Sequence, residues 1–168
     1  LFDEKIRSYI PPKSATVHMH ALLTTLAGAE PANTTDAGIA LHEMADRIKR
    51  RGLIIVLSDL FDDPSKIMAG LRHFRHRKHE VLVFHVLDPS ERTFDFPAEA
   101  IFKDMETGEE ISTLPWQIKA EYQRSVGAHM ERFRRECRDA FIDYVPMDTA
   151  VPYDYALFSY LSKRQRLY

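Results

Sequence analysis

Apolar and polar positions alternate along this chain in two rhythms, and the rhythm changes at nearly regular intervals. From Ala37 to Ile48 the apolar positions Ala37, Leu41, Met44, Ala45 and Ile48 recur at helical spacing, while Glu43, Asp46, Arg47 and Lys49 fall on the other side. This helix is expected to end at Gly52. The run Leu53-Ile54-Ile55-Val56-Leu57 that follows is apolar at every position, as a parallel strand covered on both faces must be. The alternation then repeats. Asp63 and Pro64 are a cap and first-turn residue for a helix with Ile67, Leu71 and Phe74 on its buried side, and Val81 to Leu87 is the next apolar strand.

After a loop from Asp88 to Pro97, the stretches Ala100–Asp104 and Glu110–Thr113 flank a Glu106-Thr107-Gly108 turn, which predicts a β-hairpin. The longest helix is predicted over roughly 115–140, with Tyr122, Val126, Met130, Phe133 and Cys137 tracing one stripe. Ile142 to Met147 reads as a last strand and Tyr153 to Leu161 as a closing helix. At the other end, Ile6 to Ile10 reads as a strand entered through a turn at Asp3-Glu4-Lys5 and stopped by Pro11-Pro12. A short helix capped by Ser14 or Thr16, carrying Leu22, Leu23 and Leu26, should end at Gly28. Strands and helices that alternate from residue 36 onward, joined by right-handed crossovers, predict an α/β fold: a mostly parallel sheet with helices on both faces and an inserted β-hairpin.

At 168 residues the chain fits a single domain spanning 1–168, and 45% hydrophobic content is ordinary for a globular protein. A net charge of −2 provides no overall field for nucleic acid or anionic lipid. Cys137, the one cysteine, excludes an internal disulfide and a cysteine-rich zinc site, and it favours a reducing, cytoplasmic setting. No apolar run approaches the ~20 residues of a membrane-spanning helix.

Ligands of open α/β sheets gather beyond the carboxyl ends of the strands. Those ends here run into Ser58-Asp59, Asp88 and Asp148-Thr149, an oxygen-rich set suited to a hard divalent cation. The plain alternative is that Asp and Ser are turn and cap residues wherever strands give way to helices. Thr35 adds to Asp59, because it lies in a polar loop immediately before a helix.

The stretches TTDAGIAL and GLIIVLSDL resemble the second and third parts of the metal-ion-dependent adhesion site of von Willebrand factor A domains. The chain is more closely similar to a bacterial branch, the domain of unknown function fifty-eight, typically encoded beside MoxR-type AAA+ ATPases. LFDEKIRSYIPP, TTDAGIAL, RRGLIIVLSDLFDD, HEVLVFHVLDPSE, FKDMETGEE and DYALFSYLSKR carry that resemblance across nearly the whole chain.

The resemblance implies a Rossmann-like sheet, no catalytic activity, and a metal-dependent protein-binding edge. Thr35 and Asp59 would be metal ligands, and Ser58, Phe61, Asp62 and Asp63 would form the partner surface. The cofactor would be Mg²⁺, or Mn²⁺ or Ca²⁺, and the partner a AAA+ ATPase system in complex assembly or maturation. The Asp-x-Ser-x-Ser motif that opens such a site is absent from these residues. In family order it would precede Leu1, so the chain is expected to lack an N-terminal strand and to be able to dimerise through the resulting gap in the sheet. The rival reading is a metal-assisted hydrolase or phosphotransferase, with Asp59 as the carboxylate and His85 or Asp88 as base.

Other features are less telling. His73, His76 and His79 lie among Arg72, Arg75, Arg77 and Lys78, whose charges repel a metal. A solvated helix end is the plainer reading, with an acidic partner as the alternative. His85 inside an apolar strand reads as a satisfied core histidine and Cys137 as an inert core thiol. His18, His20 and His42 have no evident partners, and Glu91 matches an acidic position of the family without a clear role. Thr35 and Asp59 supply too few oxygens for the ~6 that Mg²⁺ takes. This chain alone is therefore expected to bind divalent metal weakly or not at all, and calorimetric titration showing micromolar Mg²⁺ or Mn²⁺ affinity would contradict that.

Overall fold

The structure, a computed structural model, describes residues 1, 6–29, 36–96, 100–104 and 108–165. Its elements in chain order are α1 (Thr16–Ala27), α2 (Ala37–Arg47), β1 (Leu53–Ser58), α3 (Pro64–His76), β2 (Glu80–Leu87), α4 (Pro89–Thr93), β3 (Ala100–Lys103), β4 (Glu110–Thr113), α5 (Pro115–Asp139), β5 (Asp143–Asp148) and α6 (Tyr153–Gln165). The fold is mixed α/β. β1, β2 and β5 form a parallel sheet in that order, and β3 and β4 form the expected antiparallel hairpin.

The order of the strands decides where the helices lie. Stepping from β1 to β2 to β5 in one direction, with right-handed crossovers, puts α3 and α5 on the same face. That face carries the main core. Ile54 and Val56 of β1 and Val81 and Val83 of β2 pack beneath Leu41 and Ala45 of α2, Ile67, Met68, Leu71 and Phe74 of α3, and Phe133 and Cys137 of α5. The chain reverses after β5. α6 crosses to the other face, where Tyr160 meets Leu82 and Phe84.

Several boundaries depart from the sequence expectation. β1 is not covered on both faces: Leu53, Ile55 and Leu57 are 43%, 48% and 65% exposed, because α6 reaches only as far as β2 and β5. Ile6 makes an isolated bridge and residues 7–10 are irregular, so the strand expected over Ile6–Ile10 does not form among the described residues. Neither Ser14 nor Thr16 caps α1, whose N-cap Ala15 offers no side-chain acceptor. α2 ends at Arg47 rather than Gly52, because Ile48 turns to extended backbone and leads across toward β1. The loop after β2 contains α4, closed by a capping box in which Asp88 and Glu91 satisfy each other's backbone amides.

Pro146 lies within β5, opposite His85 of β2. A residue without an N–H fits a sheet only where no neighbour needs that donor, so β5 is an edge strand. Two glycines set the distance between α2 and α3. A Cβ on Gly38 would lie 2.7 Å from Lys66 Cβ, and one on Gly70 would lie 2.6 Å from Leu41 Cβ. Neither neighbour is a flexible side-chain tip, so the helices themselves would have to part. Gly70→Ala is expected to destabilise the fold by about 1–3 kcal/mol through overpacking. Urea unfolding should show the loss as a lower midpoint at unchanged slope.

Candidate functional site

The turn that leaves β1 is built against a steric preference. Leu60 is buried with φ of 56°, a left-handed conformation that L-residues with a branched side chain seldom adopt. Three contacts hold it there. Its side chain enters the core. Its N–H donates to Ser58 Oγ at 3.0 Å. Its carbonyl lies 3.1 Å from His129 Nε2 of α5, 69 residues further along the chain. Ser58, expected on the partner surface, therefore has a structural task as well. His129 escaped the sequence reading, although it sits between Val126 and Phe133 at spacings of three and four on the same helical stripe.

This turn directs Asp59 and Phe61 outward. Asp59 Oδ1 accepts the Phe61 N–H at 3.2 Å. Among the described residues nothing donates to its Oδ2. Phe61 stays 48% exposed and stacks on the His129 ring with centroids 5.9 Å apart. Asp62 and Asp63 are committed differently. Asp63 Oδ1 accepts from Ser65 N at 2.8 Å as the cap of α3, and that bond holds its carboxyl below the usual range. Asp62 Oδ1 accepts from Asp63 N at 2.6 Å, while its Oδ2 accepts from Ala37 N at 2.9 Å.

The Asp62–Ala37 bond joins the start of α2 to the end of β1. Beside it, Asp36 accepts the Ile39 N–H at 3.0 Å and the Lys66 ammonium at 3.1 Å. The Ile39 bond first and Lys66 second hold its carboxyl below the usual range. Thr35 lies outside the described residues, so its own position is not part of this geometry; Asp36, which follows it, is at the same rim as Asp59. The donors described do not by themselves fit Mg²⁺, since of the β1–α3 loop's carboxylate oxygens Asp62 has both bonded and Asp59 and Asp63 each have one bonded within the loop or cap. Among the described residues no three His, Cys, Asp or Glu side chains are grouped to hold a metal.

The other strand ends are occupied. Asp88 accepts from Ser90 N, Ser90 Oγ and Thr149 Oγ1, of which the Ser90 hydroxyl contributes most to lowering its pKa. Asp148 pairs with Arg92 at 2.7 Å. Their plain reading as cap and turn residues describes them, and Glu91 is the third residue of the same capping box. His85 is fully buried and only half satisfied: Nδ1 meets Tyr144 Oη at 2.6 Å, and Nε2 has no partner among the described residues. Burial lowers its pKa, with the nearby Asp59 backbone opposing, so the imidazole is neutral and sealed from water. His85 is therefore closed to solvent, whereas Asp88 is exposed with its oxygens bonded to Ser90 and Thr149. Cys137 is buried against Met68 Sδ, and burial pushes its thiol up to about 12.

The histidine cluster of α3 also departs from a uniformly solvated helix end. His73 Nδ1 lies 3.1 Å from His42 Nδ1 of α2, and Arg77 bonds both His73 and Asp46. His79 is buried beyond the helix and receives Gly52 N–H at 3.2 Å. Only His76 of the three points to water. Arg72 and Arg75 are committed too, to Glu136 and the His79 carbonyl.

The model of the family described as "Protein of unknown function DUF58" matches residues 1–132. The chain belongs to this family. Uncharacterized proteins of Mycobacterium tuberculosis and Mycobacterium bovis are each 30% identical to it over 134 residues, 77% of this chain and 41% of their own length. An uncharacterized protein of Mycobacterium avium is 27% identical over 133 residues, 77% of this chain and 78% of its own. The chain thus spans less than half the length of the first two relatives. No solved structure matches it significantly. No helix among the described residues is long and apolar enough to cross a membrane.

Asp62→Ala should cost about 1–2 kcal/mol, the range of a lost helix cap, because the buried end of α2 loses the acceptor for its first amide. Urea unfolding of Asp62→Ala beside Asp59→Ala checks this, with the smaller loss expected at the exposed Asp59.

Proposed function

We propose that this DUF58 chain is a non-catalytic protein-interaction module of von Willebrand factor A type, which engages its partner through the carboxyl rim of the β1–β2–β5 sheet. The observation supporting this reading is the 2.9 Å bond from Ala37 N to Asp62 Oδ2, which brings the start of α2, one residue beyond Asp36, to the loop that carries Asp59. A hydroxyl loop and a strand-end carboxylate on one rim are the two contributions this chain would make to a cation site. Thr35 and Asp59 are those residues, and the ion requires oxygen donors beyond them.

The rim also has the makings of a contact surface. Phe61 offers an exposed aromatic face stacked on His129, next to the Asp59 carboxylate. Aromatic anchors of this kind, preorganised before binding, lose little freedom on association. A bound divalent ion with an open coordination position would add a strong contact to a partner carboxylate. The partner proposed is a MoxR-type AAA+ ATPase, acting with this protein in assembly or maturation of complexes.

Calorimetry of the whole protein against the nucleotide-free ATPase tests the reading. Binding in Mg²⁺ is expected to weaken about tenfold or more, that is by at least about 1.4 kcal/mol, in Asp59→Ala. Phe61→Ala should weaken it whether or not metal is present. Equal affinity in Mg²⁺ and EDTA would remove the metal from the proposal, and no interaction in either would remove the partner.

A further inference from the structure

We propose that a cavity at the opposite, amino edge of the sheet binds a monomeric long-chain acyl anion. It lies between residues 8–12, α1, the end of α2 and the start of β1, and has a volume of about 720 Å³. Small-molecule sites typically measure about 300–1,000 Å³ and combine apolar walls with a few placed polar groups.

The wall is apolar and partly wet. Leu22 and Leu26 of α1, Met44 of α2, and Leu53 and Ile54 of β1 face the cavity. Leu26 and Leu53 keep large exposed fractions, so water meets apolar surface that an occupant would cover. No residue of α1 is buried, and its position beside the cavity leaves its leucines without another apolar partner in the core clusters.

The lip is cationic. Arg47, Lys49, Arg50 and Arg51 border the opening within five residues of sequence. Arg47 pairs with Glu43, and Arg51 donates to the Lys78 carbonyl at 3.0 Å. Lys49 and Arg50 are exposed and pair with no acidic side chain among the described residues. Charge complementarity therefore calls for an anionic head at this end.

The wall decides what the head is attached to. A peptide could pair only the side of its backbone that meets the open edge of β1, and its remaining N–H and C=O groups would lie against the leucines of α1, which is costly without partners. A nucleotide or other polyanion would need donors on the floor, where leucine, isoleucine and methionine stand. An acyl chain has no polar groups along its length, and its carboxylate reaches the lip while its methylenes cover the wall. The site is independent of the acidic rim, which lies at the far ends of the strands.

Fluorescence titration of the chain with cis-parinaric acid, an intrinsically fluorescent acyl carboxylate, tests the proposal beside its methyl ester. Saturable binding of the acid is expected, with affinity falling about fourfold for each methylene removed in competing shorter acids. The exposed double variant Lys49→Glu/Arg50→Glu should weaken the acid about tenfold and leave the ester unchanged. Leu26→Gln, also at an exposed position, should weaken both. The proposal is overturned by absence of saturable binding, by equal effects of charge reversal on acid and ester, or by association with phosphatidylglycerol vesicles without binding of the monomeric acid.

Discussion

Burial of α3 is the constraint on which the remaining structure depends. Ile67, Met68, Leu71 and Phe74 have essentially no exposure, and they share one buried cluster with residues of α2, α5, β1 and β2. Each such side chain contributes about 1.5–3 kcal/mol when withdrawn from water, an upper estimate since unfolded chains already bury some surface. Four of them together are comparable with the ~5–15 kcal/mol net stability of a typical domain. Loss of this one helix face would therefore leave nothing to offset the entropy of ordering its neighbours. Asp63 and Pro64 start that helix at the point where the chain leaves β1, so the local signal that begins α3 also shapes the rim.

The rim is consequently a by-product of packing as much as a surface for partners. Leu60 enters the core only by taking a left-handed backbone conformation, and that twist turns the residues on either side of it, Asp59 and Phe61, toward water. Asp62 then holds α2, and Lys66 from the first turns of α3 binds Asp36. The loop is fixed at both ends by elements buried elsewhere. A surface built in this way binds without the cost of ordering itself first.

Much of this was legible in the sequence, for reasons that differ by residue. The strand from Leu53 and the helix from Pro64 were readable because runs of buried apolar residues and a proline cap act locally. The paired glycines of α2 and α3, the reach of His129 to the Leu60 carbonyl and the His42–His73 contact were not, because each joins positions far apart in the chain. β1 looked like a strand covered on both faces because its composition is apolar throughout; composition shows what a strand can bury, not what is present to cover it. The carboxylates show the same limit. Asp59, Asp62, Asp63 and Asp88 look alike in sequence, and only the positions of neighbouring amides separate the helix caps Asp63 and Asp88 and the bridging Asp62 from Asp59, which caps no helix.

The two borders of the sheet are chemically unlike. Along β5, Pro146 removes a donor from the outer ladder, so another strand could not complete its hydrogen bonds there. The outer side of β1 has no proline and carries Leu53, Ile55 and Leu57 on its open face. Growth of this sheet is thereby one-directional. Recruitment of any further strand, whether from the same polypeptide or another, would proceed from β1 and place the newcomer beside Asp59.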